Sequence, residues 1–361
     1  MIVLQLGPYP PPHGGVQTNL VAIRELLRRH QIRAPVINLT RHRQAVADDV
    51  YYPRSAVEVV RLLFAIPADI IHLHIGGQLT SRLLALILMC TLVPGRRVVL
   101  TFHSGGYPNW EENRKVSRRT LRGFILRRLD AVIAVNAQIA EMFRRLGVAE
   151  ERVHLISPYS PVSVQSDLTL PKELETFCET HSPLLTTVGL LEPEYDLALQ
   201  IAALNDIRTR LPEAGLVIIG SGSLEAELRR LIAAEPAGKH VLLCGDVPHA
   251  LTVRVLSESD LFLRTTHYDG DSVSVREALQ LGVPVIATDN GMRPREVHLI
   301  PPSNKQALCD AVAQVAAGGT RGVATAESPT EHLDEVLDLY STLVGRELGV
   351  RRSSLPTSSV L

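Results

Sequence analysis

Short apolar runs that read as β-strands alternate with longer stretches of helical period, and the alternation occurs twice along this chain. In the first half, IVLQL (2–6), DIIHLHI (69–75), RVVLTF (97–102), AVIAVN (131–136) and RVHLIS (152–157) read as strands. After the first of them comes a Gly/Pro loop, then Val16, Leu20, Ile23 and Leu27 at the spacing of one helix face. The second half repeats the scheme with LLTTVGLL (184–191), GLVIIGSG (215–222), HVLLCGD (240–246), DLFLRT (260–265) and VPVIAT (283–288). Strand–helix alternation of this kind predicts α/β domains built on parallel sheets. Between the two sets, Pro158 to Ser182 is rich in Ser, Pro and Thr with weak periodicity, and reads as a linker. Two doubly wound, Rossmann-like domains facing a cleft are the natural assembly, over residues 1–165 and 183–330. The length of 361 residues suits two such cores and exceeds one ordinary core.

Composition narrows the class. An apolar fraction of 45% with 21% charged residues is that of a globular protein. Only the tail, 349–361, has too little to bury and is expected to be disordered. Cys90, Cys178, Cys244 and Cys309 are scattered with no CxxC spacing, which argues against a zinc site or a disulfide framework. The apolar start runs straight into a Gly/Pro loop, unlike a signal peptide, and Leu83 to Val93 is too short to span a membrane. A cytoplasmic enzyme is expected.

The net charge of −1 conceals a split. Residues 1–160 carry 21 Lys and Arg against 11 Asp and Glu, net +10; the remainder carries 16 against 27, net −11. The basic half faces either an anionic partner or the acidic half of its own chain. With only 4% aromatic residues, a stacking platform for single-stranded nucleic acid is disfavoured. The run NRKVSRRTLRGFILRRLD (113–130) predicts a basic amphipathic helix, suited to an anionic membrane surface or to a solvated face that balances the second domain.

The chemistry concentrates in YDGDSVSVREALQLGVPVIATDNG (268–291). Asp269 lies in a Gly-containing loop, and Glu277 lies eight positions on, inside the following helix. Both are aimed from the carboxyl end of a parallel sheet, where open α/β folds bind ligands. In GPYPPPHGG (7–15), Gly14 and Gly15 stand at a helix N-terminus, where free N–H groups and the helix dipole favour an anion. His103, in TFHSGGYP, follows a strand and points to the same edge; His72 and His74 alternate along a strand and read as structural. Gly220 and Gly222, in GSGS, form another strand-to-helix turn that admits a nucleotide or simply turns tightly.

The Asp269-x7-Glu277 spacing resembles the acid-x7-acid signature of retaining glycosyltransferases of family 4, and the resemblance covers about residues 1–348. It implies the GT-B fold, with the last helix, 331–348, returning to the first domain. It implies transfer of a sugar from a nucleotide diphosphate sugar, with anomeric retention and no metal; the Asp269–Gly270–Asp271 spacing is then incidental. The implied acceptor is a glycan or a lipid-linked molecule, in polysaccharide or glycolipid assembly at the inner membrane face. By the same resemblance, Gly14 and Gly15 face the donor pyrophosphate, His103 and Asp269 contact the transferred sugar, and Glu277 contacts the ribose. Asp271 and Ser272 complete the donor loop. Asp271 reads as a helix cap and as an alternative to Asp269.

One departure stands out. Where the family carries an Arg and a Lys for the diphosphate, this chain has Leu190 and Tyr195. Leaving-group stabilisation is a large catalytic contribution, so the loss needs a substitute. Arg264, Arg276, Arg293 and Arg295 leave the carboxyl ends of strands near the acidic loop and suit bidentate phosphate contacts. The alternatives are a non-catalytic relative that binds a nucleotide sugar or glycan, and a nucleotide-sugar epimerase.

Overall fold

The computed structural model describes residues 1–361 apart from 12, 41–47, 111–112, 114–115, 159–161, 166, 319–330 and 346–361. Two wholly parallel sheets carry the chain. The first has seven strands, β1 (Val3–Gly7), β2 (Val36–Asn38), β3 (Val50–Tyr51), β4 (Ile70–Ile75), β5 (Arg97–Phe102), β6 (Ala131–Ala134) and β7 (Val153–Leu155), in the order β3-β2-β1-β4-β5-β6-β7. The second has six, β8 (Leu184–Val188), β9 (Gly215–Ile219), β10 (Val241–Gly245), β11 (Leu261–Arg264), β12 (Val285–Thr288) and β13 (His298–Ile300), in the order β10-β9-β8-β11-β12-β13. Every residue of β1 and β4 is buried, as expected for strands covered by helices on both faces. In each sheet the order reverses beside the first strand, between β1 and β4 and between β8 and β11. Connections leave in opposite directions there and open a crevice at the carboxyl ends. That is where Gly14, Gly15, Arg264 and Asp269 lie.

The structure departs from the sequence reading in three places. The strands β2, β3 and β13 have three, two and three residues, too short to show a period, and went unread. Within the expected linker, Lys172–Thr180 is a helix. It lays Leu174, Phe177 and Cys178 against Leu184, Val217 and Ile219 of the second sheet. The basic run 113–130 is not one helix. Among the described residues its longest helical stretch is Leu121–Leu126, started by Thr120, whose hydroxyl accepts from the Gly123 N–H. The chain folds back upstream, so that a Cβ on Gly123 would stand 2.8 Å from the Arg118 Cα and from the Ser117 carbonyl oxygen. Arg114 and Lys115 lie outside the described residues.

The helix Glu331–Val344 packs Val336, Leu337, Leu339 and Tyr340 against Val3, Ile23, Ile70 and Val99 of the first domain. The tail 349–361 lies outside the described residues. His72 ties that last helix to the sheet, pairing through Nδ1 with the Tyr340 hydroxyl and through Nε2 with the Thr101 hydroxyl at 2.7 Å. Burial, with His103 nearby, pushes the His72 imidazole down to about 3, so it is neutral and offers one donor and one acceptor. Replacing Tyr340 by Phe leaves Nδ1 buried without a partner. A loss of about 1–3 kcal/mol is expected from that orphaned group, read as an earlier urea midpoint for the first domain.

Candidate active site

Loops from both sheets interlock across the crevice. A Cβ on Gly105 would stand 1.5 Å from the Asp269 carbonyl oxygen, and one on Gly270 would stand 2.3 Å from the His103 carbonyl oxygen. Only glycine permits such backbone approach. Around this contact, Asn136 Nδ2 donates to the Gly270 carbonyl at 2.9 Å, and Ser157 Oγ donates to Asp271 Oδ2 at 2.6 Å. The His13 N–H donates to Asp246 Oδ1 at 3.0 Å. These contacts enclose a cavity of 270 Å³ lined from both domains. A larger hollow of 810 Å³ lies along β10 between the helices Lys172–Thr180 and Glu225–Ala234, within the second domain and away from every predicted site residue.

Three helices begin at the shared cavity. Gly15–Arg29, His249–Glu258 and Val273–Gln280 each place their first residue in its wall. Gly14, the N-cap of the first, makes no side-chain capping bond, and a Cβ on Gly15 would meet Val273 Cγ2 at 3.7 Å. The N-termini of helices from opposite domains therefore face one another. Each carries about half a positive charge and free N–H groups, so the cavity favours an anion.

Asp269 sits at the cavity wall between two guanidiniums. Arg264 holds it bidentately, Nε to Oδ2 at 3.0 Å and Nη2 to Oδ1 at 2.6 Å, and Arg293 Nη1 reaches Oδ2 at 2.6 Å. The three side chains are 7, 10 and 3% exposed for Arg264, Asp269 and Arg293, so the cluster is buried with one positive charge in excess. Burial by itself would raise the Asp269 carboxyl, but the two guanidiniums outweigh it and hold the carboxyl below its ordinary value. Arg264 also donates from Nη1 to the Val188 carbonyl at 2.7 Å and lies 4.7 Å from the Tyr195 ring centroid. Its guanidinium thus stands beside Gly189, next to Leu190.

Glu277 is buried, and its Oε1 accepts from His249 Nε2 at 2.7 Å. His249 was not singled out in the sequence; an isolated PHAL at a helix start carries no motif. Burial works against charge on this imidazole, but the carboxylate of Glu277 prevails and raises it above its ordinary value. His103 lines the cavity with Nε2 unpartnered among the described residues, and burial pushes its imidazole down to about 3. It is a neutral hydrogen-bonding group.

The remaining predicted residues divide. Gly220 lines the cavity at φ +138°, and a Cβ there would stand 1.8 Å from the Gly189 carbonyl oxygen. Gly222 does not line it; a Cβ there would stand 2.5 Å from the Leu191 carbonyl oxygen, so this glycine serves loop packing. Arg276 points its Nε at Asp271, 2.6 and 2.8 Å from the two oxygens. Asp271 is therefore an ion-pair partner. The residue at the helix N-cap is Ser272, which makes no capping bond. Arg293 stands behind Asp269 and outside the cavity wall, and Arg295 is exposed.

Because the folded Asp269 carboxyl titrates below its unfolded value, its stabilising share is complete above pH 3.8 and is lost as the pH falls through the lower folded value. Urea midpoints measured between about pH 5 and 3 should fall more steeply for the wild type than for Asp269→Asn.

The family model Glycosyltransferase Family 4 matches residues 13–159, and the model Glycosyl transferases group 1 matches residues 176–321. The chain is 25% identical over 327 residues to the GDP-mannose-dependent alpha-(1-6)-phosphatidylinositol monomannoside mannosyltransferase of Mycolicibacterium smegmatis, covering 82% of each chain. It is 30% identical over 151 residues to the amylovoran biosynthesis glycosyltransferase AmsK of Erwinia amylovora, covering 38% of this chain and 37% of that one. Its fold is similar to that of Anabaena HepE in complex with UDP-glucose, with a TM-score of 0.67 at 16% identity over 96% of this chain and 98% of that one. With its two halves matched in chain order by these two models on a GT-B frame, the chain belongs to the family 4 glycosyltransferases.

Proposed function

We propose that this glycosyltransferase moves a sugar, with anomeric retention, from a nucleotide diphosphate sugar to a glycan or lipid-linked acceptor in polysaccharide or glycolipid assembly. The observation that carries the reading is the convergence of three helix N-termini on one cavity beside a buried cluster with an excess positive charge. A diphosphate is the ligand such a cavity favours. Gly14 and Gly15 face it with backbone N–H groups, and Arg264 supplies the cation that Leu190 and Tyr195 lack. Asp269 and His103 contact the transferred sugar, and Glu277 takes the ribose. The departing phosphate then helps to deprotonate the acceptor.

The base and sugar are read by a thermal-shift panel of UDP-, GDP- and ADP-sugars, since a ligand of the folded state raises the melting temperature. The mycobacterial relative is GDP-mannose-dependent and HepE was crystallised with UDP-glucose, so these two donors come first. With the donor so found, Glu277→Gln and Asp269→Asn should each lower kcat/KM by about a hundredfold or more. Product NMR should show the anomeric configuration of the donor. Full activity in both variants, or an inverted product, overturns the assignment.

The second part of the proposal is docking of the first domain on an anionic membrane. Among the described residues no helix is long and apolar enough to cross a membrane. Leu121 and Phe124 are 71 and 50% exposed on the short helix Leu121–Leu126, beside exposed Arg118, Arg119, Arg127 and Arg128. Apolar side chains within a basic surface suit a bilayer of anionic lipid. Vesicles containing phosphatidylglycerol should pull down the wild type in sedimentation and release it with added salt. The double variant Leu121→Asp/Phe124→Asp should stay in the supernatant.

A further inference from the structure

We infer that His249 is a positioning residue for nucleotide recognition: its Nε2 fixes one oxygen of the Glu277 carboxylate so that the other is presented to the ribose hydroxyls. The inference rests on the donor reading above. The carboxylate of Glu277 is 3% exposed, and a buried carboxylate needs hydrogen-bonding partners. Among the described residues its one side-chain partner is His249, at 2.7 Å on Oε1; Oε2 has none. Among the described residues no Lys or Arg shares this carboxylate, in contrast to Asp269, which two arginines hold.

The placement follows from the backbone. His249 is the first residue of its helix, directly after the turn that leaves β10, and its side chain is 37% exposed in the cavity wall. Glu277 lies in the second turn of the helix Val273–Gln280, which packs on the first. An imidazole N–H on one carboxylate oxygen sets the plane of the group. A carboxylate held in one plane accepts from a hydroxyl in one direction, and so reads the presence of that hydroxyl. A Glu277 free to rotate would bind nucleotides with less regard to the ribose.

The test is isothermal titration of the wild type, His249→Ala and His249→Gln with UDP, GDP and ADP and with their 2′-deoxy counterparts. A charged-group hydrogen bond to the 2′-hydroxyl corresponds to about tenfold or more between the two forms of the nucleotide that binds. In His249→Ala that ratio should fall to about threefold or less, with affinity for the 2′-deoxy form nearly unchanged. His249→Gln, which keeps an N–H donor, should recover most of the ratio. If His249→Ala weakens both forms equally and keeps the ratio, His249 is only structural and the inference falls while the donor reading stands. A wild type that binds a nucleotide without preferring the ribose form overturns the inference in the same way. If no nucleotide binds the wild type, the donor reading fails and this inference with it.

Discussion

The site depends on a close contact between two stretches of backbone that glycines make possible. Gly105 lies against Asp269, and Gly270 lies against His103, at distances that exclude any Cβ. This approach lets the loop after β5 and the loop after β11 share one cavity, although they belong to different sheets. Asn136 and Ser157 then bind the second-domain loop from the first domain. The acidic loop is consequently shaped by both halves of the chain.

Electrostatics explains why the loop can stay buried. A lone carboxylate at this depth would be protonated, and a lone guanidinium would carry a large desolvation cost. Asp269 with Arg264 and Arg293 satisfies both and leaves a positive charge over. The Tyr195 ring under Arg264 adds a favourable face for the cation. Tyr195 thus supports a cation delivered from the neighbouring strand. The three helix N-termini add their partial positive charge at the same wall.

Much of this was legible in the chain. Strands show as short apolar runs, and ten of the thirteen among the described residues were readable on that ground; β2, β3 and β13 are too short to carry a period. The spacing of Asp269 and Glu277 located the cleft, because a loop acid and a helix acid after one strand have few other places to go. Gly220 and Gly222 looked alike in sequence, and only packing separates them: one faces the cavity, the other spaces two loops. The helix Lys172–Thr180 was hidden by its Ser/Thr/Pro-rich surroundings, although Leu174, Phe177 and Cys178 have helical spacing.

The sequence by itself determined the parallel α/β architecture and pointed to the carboxyl-end crevice and most of the polar residues of the candidate site, since each follows from local periodicity and from motif spacing. Tertiary structure decided which of those residues meet. Arg264 and Arg293 converge on Asp269, Arg276 turns away to Asp271, and His249 becomes the partner of Glu277 from 28 positions upstream. Such pairings depend on how helices from neighbouring crossovers pack at the sheet edge and on how the two domains meet. Neither leaves a period or a motif in the chain.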